Sequence, residues 1–232
     1  MIVIICAMQE EFDEVVKLMD KPIFSELSYF KIAKGNIENK SCILALCGVG
    51  KVHAAICTQS LIMKFKPSLI LNVGVAGAID PKLKISDGII AEALVQHDFD
   101  ISAFPNRKKG EISGIDSVEI KTTPWVKEKL LKCSEGIPES KFYSGIILTG
   151  DQFINSKEKI SSLKKEFGGL ACEMEAGSIA QTCFLAKVPF GIIRTISDSA
   201  DNSSHVDFYS FLKKSSENAA KLLKEFIKSL ED

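Results

Sequence analysis

Apolar residues along this chain follow two rhythms. Short continuous runs at Ile2–Ala7, Cys42–Cys47, Leu69–Val73 and Ile89–Val95 leave almost no polar position to face water. That is the pattern of strands buried on both faces of a sheet. Ile146–Leu148 and Gly191–Ile196 add two later strands of the same kind. Between the runs, apolar residues recur at helical spacing. Met8, Phe12, Val15, Val16 and Met19 form one stripe, and Ala54, Cys57, Leu61 and Phe65 a second that ends at Pro67. Ala176, Ile179, Ala180 and Cys183 form a third. The clearest stripe runs from Phe208 through Phe211, Leu212, Ala219, Leu222, Leu223, Phe226 and Ile227 to Leu230, and predicts a C-terminal helix.

Glycines punctuate the pattern. Gly48-Val49-Gly50 stops the second strand, Gly74-Val75-Ala76-Gly77 reads as a glycine-rich turn after the third, and Ser86-Asp87-Gly88 is another turn signal. Residues 98–118 are polar and read as a long excursion. No repeat, linker or low-complexity stretch divides residues 1–232. The alternation predicts a single α/β domain, a central mixed sheet flanked by helices on both faces. Ligands of such sheets lie at the carboxyl ends of strands. The segments directly after Ala7, Val73, Leu148 and Ile196 are therefore where chemistry is expected.

Composition narrows the picture by exclusion. With 29 basic against 30 acidic residues the net charge is −1, which gives no electrostatic footprint for nucleic acid or an acidic membrane. The run Met1–Ala7 is too short to span a bilayer and has no basic segment before it. The seven cysteines form no C-x-x-C pair and mostly sit in apolar runs, a usage that suits a reducing compartment. A cytoplasmic protein is expected. Gly48-Val49-Gly50-Lys51 resembles the end of a phosphate-binding loop, but Ala45 stands where glycine is needed and Val52 where Ser or Thr is needed. His97-Asp98-Phe99-Asp100 looks superficially like a ligand set. The chain's other histidines are His53 and His205, and none has metal-site spacing, so no metal is expected.

Three acidic segments remain. Gln9-Glu10-Glu11 follows a buried strand, where acidic residues commonly complement a helix dipole. Glu173-Met174-Glu175 lies in an apolar stretch, where two buried carboxylates would each cost several kcal/mol without partners. Capping the next helix accounts comfortably for one of them. Arg194-Thr195-Ile196-Ser197-Asp198 closes a strand, and its aspartate either caps a turn or serves as an acid held in a cleft.

These segments carry a family resemblance. Ala7-Met8-Gln9-Glu10-Glu11, Gly48-Val49-Gly50-Lys51-Val52, Asn72-Val73-Gly74-Val75-Ala76-Gly77, Gly150-Asp151-Gln152-Phe153-Ile154, Cys172-Glu173-Met174-Glu175-Ala176 and Arg194-Thr195-Ile196-Ser197-Asp198 occur in this order. The chain resembles the bacterial methylthioadenosine/S-adenosylhomocysteine nucleosidases of the purine nucleoside phosphorylase superfamily. The resemblance implies that Glu11 is the base for the attacking water and Asp198 the general acid at the purine N7. It implies that Glu175 grips the ribose hydroxyls, Met174 packs on the sugar, and Glu173, Val75, Ala76 and Gly77 line the substrate site. Phe153 would stack on adenine and the backbone of Ile154 would read its polar edge. Arg194 and Ser197 would hold the water and orient the acid. Met8, Val49 and Phe208 would line the 5′-alkylthio pocket, completed by Phe104 from a second subunit of a homodimer. No metal or organic cofactor is implied.

The chain departs from the family pattern at three places. Val75 stands where a small hydroxyl residue is usual, Gln9 replaces a frequent Glu, and Pro105–Gly114 aligns loosely. A purine nucleoside phosphorylase is disfavoured because Arg107 and Arg194 are the only arginines and neither is in the early loops. A hydrolase for a futalosine-type nucleoside is an alternative. An inactive nucleoside-binding protein would not need Glu11 and Asp198 together.

Overall fold

The computed structural model describes residues 1–138, 140–198 and 204–231, with 204–210 described by backbone alone. In chain order the elements are β1 (Ile2–Cys6), α1 (Gln9–Val16), β2 (Asp20–Leu27), β3 (Phe30–Ile37), β4 (Lys40–Leu46), α2 (Lys51–Phe65), β5 (Leu69–Ala78) and β6 (Gly88–Gln96). There follow β7 (Ile120–Lys121), α3 (Pro124–Ser134), β8 (Phe142–Thr149), α4 (Lys157–Phe167), β9 (Ala171–Glu173), α5 (Ala176–Ala186), β10 (Phe190–Asp198) and α6 (Ser204–Ser229).

The strands make one mixed sheet in the order β10-β6-β8-β9-β5-β1-β4-β3-β2. β10 also pairs in parallel with β5, so β5, β10, β6, β8 and β9 close into a ring of strands. β1, β4, β3 and β2 extend from β5 as an open sheet through the parallel pairs β5–β1 and β1–β4, and the short β7 pairs antiparallel with β6.

Alternation along β1 shows why helices cover both faces. Ile2, Ile4 and Cys6 enter one apolar layer, with Phe12 and Val15 of α1, Val126 and Leu130 of α3, and Leu222, Leu223 and Phe226 of α6. Val3 and Ile5 enter the opposite layer, with Ala54, Cys57 and Leu61 of α2 and Ile179, Ala180 and Cys183 of α5. Leu163 of α4 anchors a smaller cluster with Val95, Leu148 and Cys172.

One expectation needs correcting. Gly74-Val75-Ala76-Gly77 is not a turn but the second half of β5, buried throughout. The glycine is there for space: a Cβ on Gly74 would lie 2.5 Å from Glu11 Oε1. The excursion after β6 holds only isolated bridges, Asp100 to Lys109 and Ile112 to Ser117, before β7. All seven cysteines are free thiols. Among the described residues, no helix is long and apolar enough to cross a membrane.

Candidate active site

The carboxyl ends of β1, β5, β8 and β10 face one cavity of about 490 Å³. Its wall includes Ala7, Met8 and Glu11, Val49, Val75–Gly77, Gln152–Ile154, Cys172–Glu175, and Ser197 with Asp198. The three acidic segments singled out from sequence therefore meet at a single place.

Glu11 is held entirely by backbone. Its Oε2 accepts from the N–H groups of Ala7 at 2.9 Å and Met8 at 3.1 Å, and its Oε1 from Val75 N–H at 3.0 Å. The first two bonds close the start of α1, so the helix-capping reading is satisfied by a carboxylate that also faces the cavity. Burial raises the Glu11 pKa above its ordinary value, against the pull of Arg194 and the three amides. A buried carboxylate of raised pKa is a stronger base than one in water.

Glu173 and Glu175 divide the roles that sequence left open. Glu173 Oε2 accepts from the N–H groups of Glu175 at 3.0 Å and Ala176 at 2.7 Å, capping α5, and from Arg194 Nη2 at 2.7 Å. Thr149 Oγ1 donates to its other oxygen. Glu175 is less engaged: among the described residues, its side chain accepts through Oε1 from Gly50 N–H at 2.9 Å. Burial, then the neighbouring Glu173 charge, push its pKa up to about 8, although Arg194 and Gly50 N–H pull the other way. A carboxyl so poised is available to a ligand's hydroxyl groups.

Asp198 is almost wholly buried at the end of β10, beside a register shift between Ile196 and Asp198 in the β5–β10 pairing. Irregular pairing of this kind re-aims a side chain. Ser197 Oγ donates to Asp198 Oδ1 at 2.8 Å, which places the hydroxyl directly against this carboxyl. Arg194 sits elsewhere, behind the wall. Its Nη2 donates to Asn72 Oδ1 at 2.5 Å and to Glu173, and its Nη1 to Ile193 O at 3.1 Å. Its charge reaches Glu11 and Glu175 as a field rather than as a contact.

The remaining predicted residues separate clearly. Met8, Val49, Val75, Ala76, Gly77, Phe153, Ile154 and Met174 line the cavity. Val49 and Phe153 are 48% and 46% exposed and mark its mouth. Phe104 is 67% exposed in the excursion and is not in this cavity's wall. The side chain of Phe208 lies outside the described residues. Sequence reasoning gives no site role to Asn72, whose amide bridges Ile5 O and Arg194. A lone Asn in an apolar strand is the available signal. It also gives none to Gln152 and Cys172, both in the wall. Asp98 binds Lys51 Nζ and Asp151 N–H, and among the described residues no group of three or more His, Cys, Asp or Glu side chains suited to a metal ion occurs.

The phosphorylase superfamily model matches residues 1–228. The chain is 38% identical to the 5′-methylthioadenosine/S-adenosylhomocysteine nucleosidase of Staphylococcus haemolyticus, over 99% of this chain and all of that one. It superposes with a TM-score of 0.95 on the nucleosidase of that name from Neisseria meningitidis in complex with methylthio-immucillin-A, at 33% identity and 99% coverage of both chains. Futalosine hydrolase of Helicobacter pylori matches with a TM-score of 0.93 and 36% identity, over 99% of this chain and 97% of that one.

Proposed function

The chain belongs to the phosphorylase superfamily, among its methylthioadenosine/S-adenosylhomocysteine nucleosidases, and we propose that it hydrolyses the N-glycosidic bond of methylthioadenosine and S-adenosylhomocysteine to adenine and the 5-substituted ribose. The observation that carries this reading is the convergence of Glu11, Glu175 and Asp198 on one cavity. Glycoside cleavage passes through an oxocarbenium-like transition state and needs an acid at the leaving group and a base at the water. Asp198 protonates N7, so adenine departs neutral, with Ser197 fixing the carboxyl. Glu11 takes the proton of the attacking water. Glu175 holds the ribose hydroxyls and strengthens those bonds as positive charge develops on the sugar. Phe153 stacks on the base, and Met8, Met174 and Val49 pack on the sugar and its 5′ group.

Water rather than phosphate is the nucleophile. Arg194 is committed to Glu173 and Asn72, and Arg107 to Glu111 and Asp116 at 2.6 and 2.7 Å. Among the described residues the cavity wall holds no cation to receive phosphate.

The working unit is a homodimer in the cytoplasm. Val52, Ile56 and Met63 form an exposed apolar stripe along α2, and Phe184 and Leu185 are exposed on α5, which packs against α2. Contiguous exposed apolar surface of this kind marks a protein interface. It begins close in sequence to Val49 of the cavity wall, and the family resemblance assigns to the second copy a Phe104 that reaches the 5′ end. Free thiols throughout suit a reducing setting.

Hydrolysis of a futalosine-type nucleoside is a second reading, favoured by the open mouth at Val49 and Phe153. One experiment tests both. Methylthioadenosine, S-adenosylhomocysteine, 5′-deoxyadenosine and futalosine are each incubated with and without phosphate, and the base and sugar products are identified. Methylthioadenosine, S-adenosylhomocysteine and 5′-deoxyadenosine should each give free adenine with a free 5-substituted ribose, whereas release of the free base from futalosine would favour the second reading. A ribose 1-phosphate would overturn the hydrolase reading.

A further inference from the structure

Three residues with no part in the chemistry above close a ring of hydrogen bonds along the rim of the cavity. Asp98, two residues beyond β6, accepts from Lys51 Nζ at 2.6 Å through Oδ1 and from Asp151 N–H at 2.9 Å through Oδ2. Asp151, two residues beyond β8, accepts at 2.8 Å through its own Oδ1 from the backbone N–H of Lys51, the first residue of α2. Three separate elements are thus tied at one point. The Lys51 and Asp98 side chains are only 18% and 15% exposed. Burial alone would raise the Asp98 carboxyl, but Lys51 and the Asp151 N–H outweigh it and hold it below its ordinary value.

The ring leads directly into two walls of the cavity. Gly50, adjacent to Lys51, donates its N–H to Glu175 Oε1 at 2.9 Å, and Val49 comes just before it. On the other side, Asp151 is followed at once by Gln152, Phe153 and Ile154. Two glycines make the approach feasible. Gly50 has φ +100°, and a Cβ there would lie 3.2 Å from Asp151 Oδ1. A Cβ on Gly150 would fall 2.3 Å from His97 Nε2.

We propose that the Lys51–Asp98–Asp151 ring fixes the spacing between the sugar wall, Val49 and Glu175, and the base wall, Phe153 and Ile154, with Asp98 as its positioning residue. This rests on the nucleosidase reading. A glycosidic bond joins base and sugar at fixed separation, so a whole nucleoside needs both walls in register. Adenine alone meets one wall and is indifferent to the other. A misplacement of about 1 Å can cost on the order of 10²-fold in rate.

Two variants test the ring. Asp98→Asn keeps the side chain's shape but loses its charge and one acceptor, and Lys51→Met removes only the ammonium. The two singles and the double are compared with the parent protein. Each is assayed for kcat and KM on methylthioadenosine, and by calorimetry for binding of adenine and of methylthio-immucillin-A. The expected result is a loss of about 10-fold or more in affinity for the analogue and in kcat/KM, with adenine affinity changed by less than about 3-fold. The double variant should be no worse than the poorer single, because both break the same ring. Equal losses for adenine and the analogue, or losses that multiply in the double variant, would overturn the proposal. If Asp98→Asn fails to fold, Lys51→Met leaves both bonds to Asp151 in place and decides the question alone. A parent protein that cannot hydrolyse methylthioadenosine would instead overturn the nucleosidase reading, and the ring's role with it.

Discussion

Replacing Glu175 with glutamine should make the ligand-free protein more stable at neutral pH while impairing catalysis. Gln keeps the side chain's size, and its amide oxygen can still accept the 2.9 Å bond from Gly50 N–H. It differs in being permanently neutral. Burial and the Glu173 charge raise the Glu175 pKa from 4.5 to about 8, so across that interval the folded protein keeps a proton the unfolded chain has released. Stability must then fall as pH rises through the window. The loss is about 1.4 kcal/mol for each pH step within it, so at pH 7 the wild-type carboxyl carries a penalty of about 3 kcal/mol that the glutamine lacks. Urea unfolding at pH 5, 6, 7 and 8 measures the difference directly. The two proteins should be closest at pH 5 and separate progressively towards pH 8, with the variant the more stable. Its hydrolytic rate should nevertheless drop by about 10²-fold or more, because an amide cannot become an anion beside the developing oxocarbenium. Parallel stability curves from pH 5 to 8 would mean that Glu175 is already ionised in the empty site, and the reasoning from Glu173 would fail.

Other outcomes follow from the same geometry. Asp198→Asn can keep the Ser197 hydrogen bond and should fold, yet lose about 10²–10⁴-fold in rate on methylthioadenosine. It should lose far less on a nitrophenyl riboside, whose leaving group departs unprotonated, and equal losses on both substrates would deny Asp198 the role of acid. Val75→Ser retains the backbone N–H that binds Glu11 and adds a hydroxyl to the wall, so kcat should be maintained or rise. A severe loss in a folded Val75→Ser protein would show that Val75 is needed for packing. Phe104→Ala should raise KM for alkylthio substrates by removing apolar contact of about 1–3 kcal/mol. A fully active monomer in sedimentation would refute both that effect and the dimer.

How much of this was legible beforehand depended on burial. β1, β4, β5, β6 and the Phe190–Ile193 half of β10 are mostly apolar because both their faces are covered, and α2, α5 and α6 show long stripes because each packs along most of its length. The hairpin of β2 and β3 left no such trace. β2 is an edge strand exposed along nearly its whole length and contains Pro22, so no core-facing alternation marks it. α4 buries only Leu163, and its real signals were the Ser156 cap and the left-handed Gly168 at its end. Gly74 misled because glycine for clearance and glycine for a turn look alike in sequence, and only the position of Glu11 separates them. The division of labour between Glu173 and Glu175 was half visible. One carboxylate was expected to cap α5, but choosing which required knowing that Arg194 lies beside Glu173. The Lys51–Asp98–Asp151 ring had no local signature, since its members belong to three segments that meet only in the fold.

The placement of β10 between β5 and β6 bears on when the site comes into being. Both neighbours lie in the first half of the chain, whereas β10 comes near its end and carries Asp198 as its last residue. As the protein leaves the ribosome, Glu11 and the Val75 amide that holds it are available early. Until Phe190–Asp198 has emerged and wedged into place, β5 and β6 each present an unpaired flank, the kind of edge that recruits other chains. The last strand to enter therefore does two jobs in one event, sealing an adhesive surface and delivering the proposed proton donor. A nascent or truncated chain that stops short of it is exposed to aggregation and lacks Asp198.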